Sequence, residues 1–314
     1  MEEWFVTSKN QIIVPHIWYD KDAVAAAHFY ASVFPDSRVT SVTTIRDTPS
    51  GDCDQVFFEI WGQKFMAISA GPYFKLNPSV SFFVNFDPSR DKDAVEKMDE
   101  IWDKLSEGGT ALMPLGEYPF SKRFGWIQDK YGVSWQLMLM DAEDEERPAI
   151  VPSFLFVGEN CGKAEEAMSF YLSVFNSSRQ GLMTRYPAGM EPDQEGTIMF
   201  ADFMLENQWF TVMDSAHNHE FAFNEAISFM VKCESQAEID YFWEKLSAVP
   251  EAEQCGWLKD KYGISWQIVP GGMDKMMKKG TPEQRARVTK AFLKMKKFNL
   301  AELHQAFEQD QPGQ

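Results

Sequence analysis

The spacing of apolar positions in the first half of the chain predicts short strands that alternate with two helices. Apolar runs of about four to eight residues are typical of strands, and apolar residues three or four positions apart are typical of one face of a helix. Phe29 and Val33, for example, are expected on the buried face of a helix. The predicted order is β-α-β-β-β-α-β-β, with strands at 12–19, in two parts of 55–68, at 80–86, around Trp126 and at 133–139, and with helices at 22–34 and around 98–105.

The second half of the chain repeats this pattern in the same order. Residues 125–136, GWIQDKYGVSWQ, return at 256–267 as GWLKDKYGISWQ, with nine of twelve positions identical. Such self-similarity indicates a duplicated domain. Between its second helix and this motif the first copy has extra residues, which predict a longer loop or hairpin there. We therefore expect two α+β domains of one fold that superpose strand for strand.

The acidic segment 141–148, DAEDEERP, reads as the linker between the copies. The predicted organisation is a first domain at 1–144, a second domain at 145–270 and a helical tail at 271–314. Within the tail, Thr281-Pro282 followed by Gln284 has the pattern of a capping box with proline at the first helical position. Asn299 is expected to cap one more helix.

The charge of the chain narrows the classes of partner. The formal net charge of -17 is repelled by phosphate backbones and by anionic lipid surfaces, so neither nucleic acid nor a membrane is expected. No apolar run approaches the roughly 18 residues of a membrane span, and the first ten residues lack the apolar stretch of a signal peptide. We expect a cytoplasmic protein, in which the four widely spaced cysteines stay reduced.

Several motifs of the second copy carry a resemblance to a known family. They include Glu165-Glu166-Ala167, the run 223–228 (FNEAIS), Trp243-Glu244-Lys245-Leu246 and the motif at 255–267. In these the chain resembles the PhnB-like family, whose members are labelled 3-demethylubiquinone-9 3-methyltransferase domain proteins, of the vicinal-oxygen-chelate (glyoxalase-like) superfamily. The resemblance implies paired βαβββ modules whose curved mixed sheets form a cup for a small molecule.

The resemblance also implies where a metal would lie, because enzymes of this superfamily place His, Gln and Glu ligands on the first, fourth, fifth and eighth strands of the cup. His16 and Gln136 occupy such positions and are the best metal candidates, yet a catalytic site needs about three protein ligands. A divalent metal is therefore an alternative, and no cofactor is assigned. The candidate ligand-binding residues are His16, Trp18, Phe58, Ser69, Trp126, Gln136, Phe154, Asp214, Trp257 and Gln267.

Two further features bear on the chemistry. None of the 19 glycines forms the G-x-G of a dinucleotide-type loop, so we expect no binding of S-adenosylmethionine. His217-x-His219, beside Asp214, is the second cluster of ligand-type residues, and its place in a loop favours solvated side chains.

Three functions remain open: a small-molecule-binding protein, a divalent-metal-dependent isomerase, lyase or dioxygenase, and a degenerate duplicate with a structural or regulatory role. The two copies are expected to pack as an internal pseudo-dimer, with a further homo-oligomer possible. We take His16 and Phe154 as equivalent first-strand residues of two cups, which predicts that only the first cup has a polar residue there. Any oxygenated ligand or metal should then favour the His16 side.

Overall fold

The computed structural model describes residues 11–141 and 146–308 of the chain. Each repeat is built from two β-α-β-β-β modules, and the second module of the second repeat lacks one strand. The first repeat contains β1 (Ile13–Tyr19), α1 (Ala23–Val33), β2 (Arg38–Thr48), β3 (Gly51–Ile60), β4 (Gln63–Ser69), β5 (Val80–Phe86), α2 (Ala94–Ser106), β6 (Thr110–Tyr118), β7 (Ser121–Gln128) and β8 (Ser134–Leu139).

The second repeat follows the same order. It contains β9 (Ile150–Phe156), α3 (Ala164–Val174), β10 (Arg179–Arg185), β11 (Ile198–Leu205), β12 (Gln208–Asp214), β13 (Ile227–Cys233), α4 (Gln236–Leu246), β14 (Trp257–Lys259) and β15 (Ser265–Pro270). A short 3₁₀ helix at Pro250–Ala252 stands where the first repeat has β6. The longer hairpin predicted for the first repeat is thus confirmed as β6 and β7.

The strands form two mixed sheets, and each sheet takes strands from both repeats. The seven-stranded sheet has the order β14-β15-β13-β1-β4-β3-β2, and the eight-stranded sheet has the order β10-β11-β12-β9-β5-β8-β7-β6. The repeats join through two antiparallel pairs, β1 with β13 and β5 with β9. This arrangement agrees with an internal pseudo-dimer. It also corrects the assumption that each repeat forms its own cup, because the modules of one repeat lie in different sheets.

One shared hydrophobic core lies between the two sheets. Tyr30 of α1 contacts Trp135 of the eight-stranded sheet with ring centroids 5.4 Å apart, and Phe65 of β4 contacts Phe82 of β5 at 5.2 Å. Each sheet therefore has a core face, which packs on the helices and this core, and an opposite face, which we call its cup face. Because side chains alternate along a strand, the two faces can be assigned residue by residue.

The most strongly repeated motif, D-K-Y-G-x-S-W-Q, is a structural unit of the core. The carboxylate of Asp260 accepts hydrogen bonds from Trp266 Nε1 at 2.8 Å, from the hydroxyl of Tyr171 at 2.7 Å and from two backbone N–H groups. Asp129 accepts equivalent bonds from Trp135 and two backbone N–H groups. The glycines of both turns adopt the positive φ that the sequence predicted. The motif thus anchors each turn to the core.

Three helices form the tail: α5 (Met273–Lys279), α6 (Pro282–Phe292) and α7 (Leu300–Glu308). The predicted capping box of α6 is present, and the side chain of Asn299 caps α7. The backbone N–H groups of Cys255 and Gly256 donate to the carbonyls of Met295 and Lys296 at 2.8 and 2.7 Å. The tail therefore packs against the residues just before β14. In the other sheet the equivalent strand is β7, and there β6 flanks it.

The remaining expectations concern the linker, the cysteines and the membrane. Residues 142–145, which include the predicted domain boundary, lie outside the described part of the chain, as do residues 1–10. All four cysteines are free thiols. Within the described ranges, helices are too short or too polar to cross a membrane.

Candidate functional site

The cup face of the seven-stranded sheet carries a chain of three polar side chains. Gln267 of β15 donates through Nε2 to Ser228 Oγ of β13 at 2.9 Å. Ser228 Oγ lies 3.4 Å from Nδ1 of His16 on β1, the residue directly opposite it in the ladder. The serine oxygen accepts the amide proton and keeps a proton of its own, which it can donate to Nδ1. In that tautomer Nε2 of His16 carries the N–H group.

His16 is buried and uncharged. It is 2% exposed, and burial lowers the pKa of its imidazole to about 3. A neutral imidazole can donate a hydrogen bond without the cost of burying a charge. His16 is therefore suited to hold an oxygen atom of a neutral group.

Aromatic rings surround this imidazole. Trp257 meets His16 edge to face with ring centroids 5.3 Å apart, and it meets Trp18 in the same manner at 6.0 Å. Trp18 is held in turn by Phe74 at 5.1 Å and by a hydrogen bond from its Nε1 to the carbonyl of Gly71 at 2.8 Å. Apolar walls with a few fixed polar groups are typical of small-molecule sites.

The cup face of the eight-stranded sheet also has a polar row, but its middle is unpaired. At one end Gln136 Nε2 donates to Ser81 Oγ at 2.8 Å. At the other end Arg147 forms an ion pair with Asp202 at 2.8 Å and its guanidinium lies 3.7 Å from the ring centre of Trp209. Between these ends lie two buried hydroxyl groups without a hydrogen-bond partner among the described residues, those of Ser153 and Thr211.

Six of the ten predicted site residues lie on cup faces, divided between the two sheets. The seven-stranded sheet has four of them, His16, Trp18, Trp257 and Gln267. Trp126 and Gln136 lie on the eight-stranded sheet. Grouping His16 with Gln136 as the two ligands of one metal was therefore wrong, because β1 and β8 belong to different sheets. The partner of His16 is Gln267, which the other repeat supplies.

The other four predicted residues lie on core faces and serve the fold. Phe58 and Phe154 are packed in the shared core. Ser69 Oγ accepts the backbone N–H of Ala23 at 3.1 Å, at the start of α1. The carboxylate of Asp214 accepts the backbone N–H groups of three residues, Gly162, Ala164 and Ile198. Neither Ser69 nor Asp214 is directed to a cup.

The residue equivalent to His16 is Ser153 and not Phe154. Ser153 lies opposite Ser81 across β5 and β9, just as His16 lies opposite Ser228 across β1 and β13. Both cups therefore have a polar first-strand residue, which corrects the prediction that only one does. The tripeptide Ile-Val-Pro at 13–15 and again at 150–152 gives this register. It is the sequence signal that could have identified Ser153.

The donor set does not fit a bound metal ion. Among the described residues, no three side chains of His, Cys, Asp or Glu come together. The ladder neighbours of His16 are Ser228 and the apolar Met66, and the amide nitrogen of Gln267 is bonded to Ser228. In the second cluster, His219 Nε2 bonds Ser215 Oγ at 2.9 Å and His217 pairs with Asp193 at 3.5 Å, while Asp214 is occupied by backbone.

Comparison with known proteins identifies the family. A search of curated proteins finds no match. A solved PhnB protein of Bacillus cereus is 36% identical over 41% of this chain and 100% of its own, with a TM-score of 0.37. Glyoxalase I of Zea mays shares the fold at 12% identity, over 85% of this chain and 95% of its own, with a TM-score of 0.53. The family profile described as 3-demethylubiquinone-9 3-methyltransferase matches residues 11–138 and 148–269, so this chain belongs to that PhnB-like family.

Proposed function

We propose that this protein binds a small oxygenated molecule on the cup face of the seven-stranded sheet. The observation that carries the proposal is the hydrogen-bonded chain from Gln267 through Ser228 to a neutral, buried His16. In the tautomer whose Nδ1 accepts a hydrogen bond from Ser228, Nε2–H is the donor that a ligand would meet. A carbonyl oxygen is the group that such a donor would hold.

The surroundings favour a ligand with a flat apolar body. Trp18 and Trp257 are both partly exposed and stand edge to face beside the imidazole. Aromatic rings contribute large apolar contact areas and prefer edge-to-face or offset stacked geometry. Val14, Met66 and Met230 form an apolar cluster on the same face. An aromatic ketone matches both the single donor and the apolar wall.

The duplicated architecture supports a binding role over metal-assisted chemistry. The superfamily relationship makes a divalent metal an alternative, but the donors near His16 are too few for the three ligands of a catalytic site. A merely structural duplicate would not need a buried imidazole within an apolar face, since burying a polar group costs free energy.

The test is titration of the purified protein with 4-fluoroacetophenone, followed by ¹⁹F NMR. His16→Ala should weaken binding about tenfold, the equivalent of one hydrogen bond, with an unchanged melting temperature. His16→Gln keeps an N–H donor and should retain most of the affinity. His28→Ala, at an exposed position of α1, is the control and should bind like the wild type.

Two results would contradict the proposal. Binding that persists in His16→Ala together with a lower melting temperature would make His16 a packing residue. Elemental analysis that finds one divalent ion per chain in the wild type, and none in His16→Ala, would support the metal-dependent alternative instead.

A further inference from the structure

The cup face of the seven-stranded sheet is covered beside His16. Val14, Met66 and Met230 form the apolar cluster on this face, and they are 2%, 4% and 5% exposed. The imidazole of His16 is buried as well. A ligand can therefore reach this face only when the part of the chain that covers it moves away.

Helix α5 of the tail reaches across this face. Asp274 Oδ2 lies 3.9 Å from Nζ of Lys232 on β13, and Nζ of Lys278, one turn later in the helix, lies 5.2 Å from the ring centre of Phe57 on β3. The ladder registers place both strand residues on the cup face. Because β1 and β4 separate β13 from β3, the two contacts bridge about 14 Å of sheet. The strands that they bridge carry Val14 and Met66.

The contacts that hold α5 on the sheet are weak. The distance of 3.9 Å between Lys232 and Asp274 is longer than a hydrogen bond, and the two side chains are 27% and 39% exposed. Ion pairs of this kind contribute little to stability and are screened by salt. Burial lowers the pKa of Lys232, and the carboxylate of Asp274 offsets part of that effect. Asp274 and Lys232 thus act as a coupled pair that solvent can reach.

The other side of α5 has free space. A pocket of about 140 Å³ lies between this helix and α7, lined by Met273 and Met276 of α5 and by Leu300 and Leu303 of α7 among others. Voids of this size are uncommon in protein interiors, which are packed nearly as densely as organic crystals. The pocket therefore gives α5 room to move back from the sheet.

The length and the ends of α5 also suit a moving element. The helix has seven residues, fewer than a helix needs to be stable without tertiary contacts. Gly272 precedes it and Gly280 follows it. Glycine allows a wide range of backbone angles, and residues at the ends of elements are where hinges absorb such changes.

We propose that α5 is a gate over the cup of the seven-stranded sheet, latched by the ion pair between Asp274 and Lys232. The role of the gate rests on the proposed ligand site at His16, to which it controls access. When the latch is closed, α5 covers the apolar cluster. When the latch breaks, the helix turns about its glycine ends towards the pocket and the cluster becomes accessible.

The experiment measures how fast a thiol beneath the gate reacts with N-ethylmaleimide. Met230→Cys places the thiol in the covered cluster, and peptide mass mapping follows position 230 separately from the native Cys161. Adding Asp274→Asn should raise the rate at position 230 about threefold to fivefold, the effect of losing a partly exposed ion pair. Asp103→Asn, on the exposed side of α2, is the matched control. The rate at Cys161, which lies just before α3, should stay the same in both variants.

Two further measurements identify the latch. Lys232→Met should raise the rate by the same factor, and the double variant Lys232→Met/Asp274→Asn should add nothing, because the two residues form one contact. Raising the NaCl concentration from about 0.05 to about 0.5 M should also speed the reaction at position 230. Asp274→Asn should abolish most of this salt effect.

Three results would overturn the gate. Position 230 could react as fast as a fully exposed thiol while the latch is intact. The latch variants could leave the rate unchanged. The effects of Lys232→Met and Asp274→Asn could add, which would show that they act independently. Val14→Cys, in the same cluster, repeats every measurement if Met230→Cys does not fold. These experiments need no ketone, so the gate and the proposed function can fail separately.

Discussion

The two cup faces start from the same pair of side chains and then differ. In each sheet a glutamine of the repeated motif donates to a serine of the neighbouring strand, Gln267 to Ser228 and Gln136 to Ser81. In the seven-stranded sheet the row ends at His16, and the next strand offers the apolar Met66. In the eight-stranded sheet it continues to Asp202. One row ends in a single donor, and the other contains two unpaired hydroxyls.

The first tryptophan and the serine of the repeated motif also make different contacts in the two sheets. Trp126 donates through Nε1 to Ser134 Oγ at 2.7 Å. Its equivalent Trp257 lies against His16, and the equivalent Ser265 Oγ has no hydrogen-bond partner among the residues that the structure describes. By contrast, Asp129 and Asp260 accept matching bonds from Trp135 and Trp266 and from two backbone N–H groups each. After duplication, therefore, the core faces have stayed alike while the cup faces have diverged.

The largest expected effect tests the claim that the core faces are equivalent. Asp129→Asn and Asp260→Asn each place an amide NH₂ where the carboxylate accepts at least three hydrogen bonds. Each variant should therefore lower the free energy of unfolding by about 3 kcal/mol. Burial raises the pKa of both carboxyl groups, and their hydrogen bonds offset part of that rise. Urea unfolding measures the loss.

Asp103→Asn, at an exposed position of α2, is the matched control and should leave stability unchanged. If one motif aspartate proved neutral for stability but essential for ligand binding, the core faces would not be equivalent. That aspartate would then be a site residue.

The next effect sharpens the difference between the cup faces. Burial lowers the pKa of His16 from 6.5 to about 3. Between these two pH values the imidazole is therefore protonated in the unfolded chain and neutral in the folded chain. The stability that neutral His16 contributes is complete above about pH 6.5 and is lost as the pH falls towards 3, by about 1.4 kcal/mol per unit. Between about pH 7 and pH 5 the wild type should lose about 2 kcal/mol more than His16→Gln.

This comparison isolates one residue, because every other titrating group is common to both proteins. Parallel stability curves for the wild type and His16→Gln would show that folding does not lower the pKa of His16. The buried imidazole that stays neutral well below pH 6.5 would then be wrong.

The sequence predicted the modules and the tail better than it predicted the sheets. The edge strands β2 and β10 were missed because their residues are largely polar and exposed, which weakens the apolar signal. The exchange of modules between repeats could not be predicted from local patterns, since it depends on pairing between β1 and β13 that lie more than 200 residues apart.

For the candidate site, residue type brought side chains together where the predicted strand register was right. His16, Trp257 and Gln267 were predicted and lie together, although in a cup that both repeats build. Phe154 was chosen one residue out of register, and a shift of one residue moves a side chain to the opposite face of a sheet. Ser153, the residue in register with His16, was passed over because a small hydroxyl side chain carries no distinctive pattern.

The most direct measurement of the central claim is ¹⁵N NMR of the imidazole rings, with His16→Gln used to assign the His16 signals. At neutral pH the ring of His16 should be uncharged with its proton on Nε2. Saturation with 4-fluoroacetophenone should shift the Nε2 signal of His16 and leave that of the exposed His28 in place. A His16 signal that stays unchanged while the ketone saturates the protein would contradict a ligand site at His16.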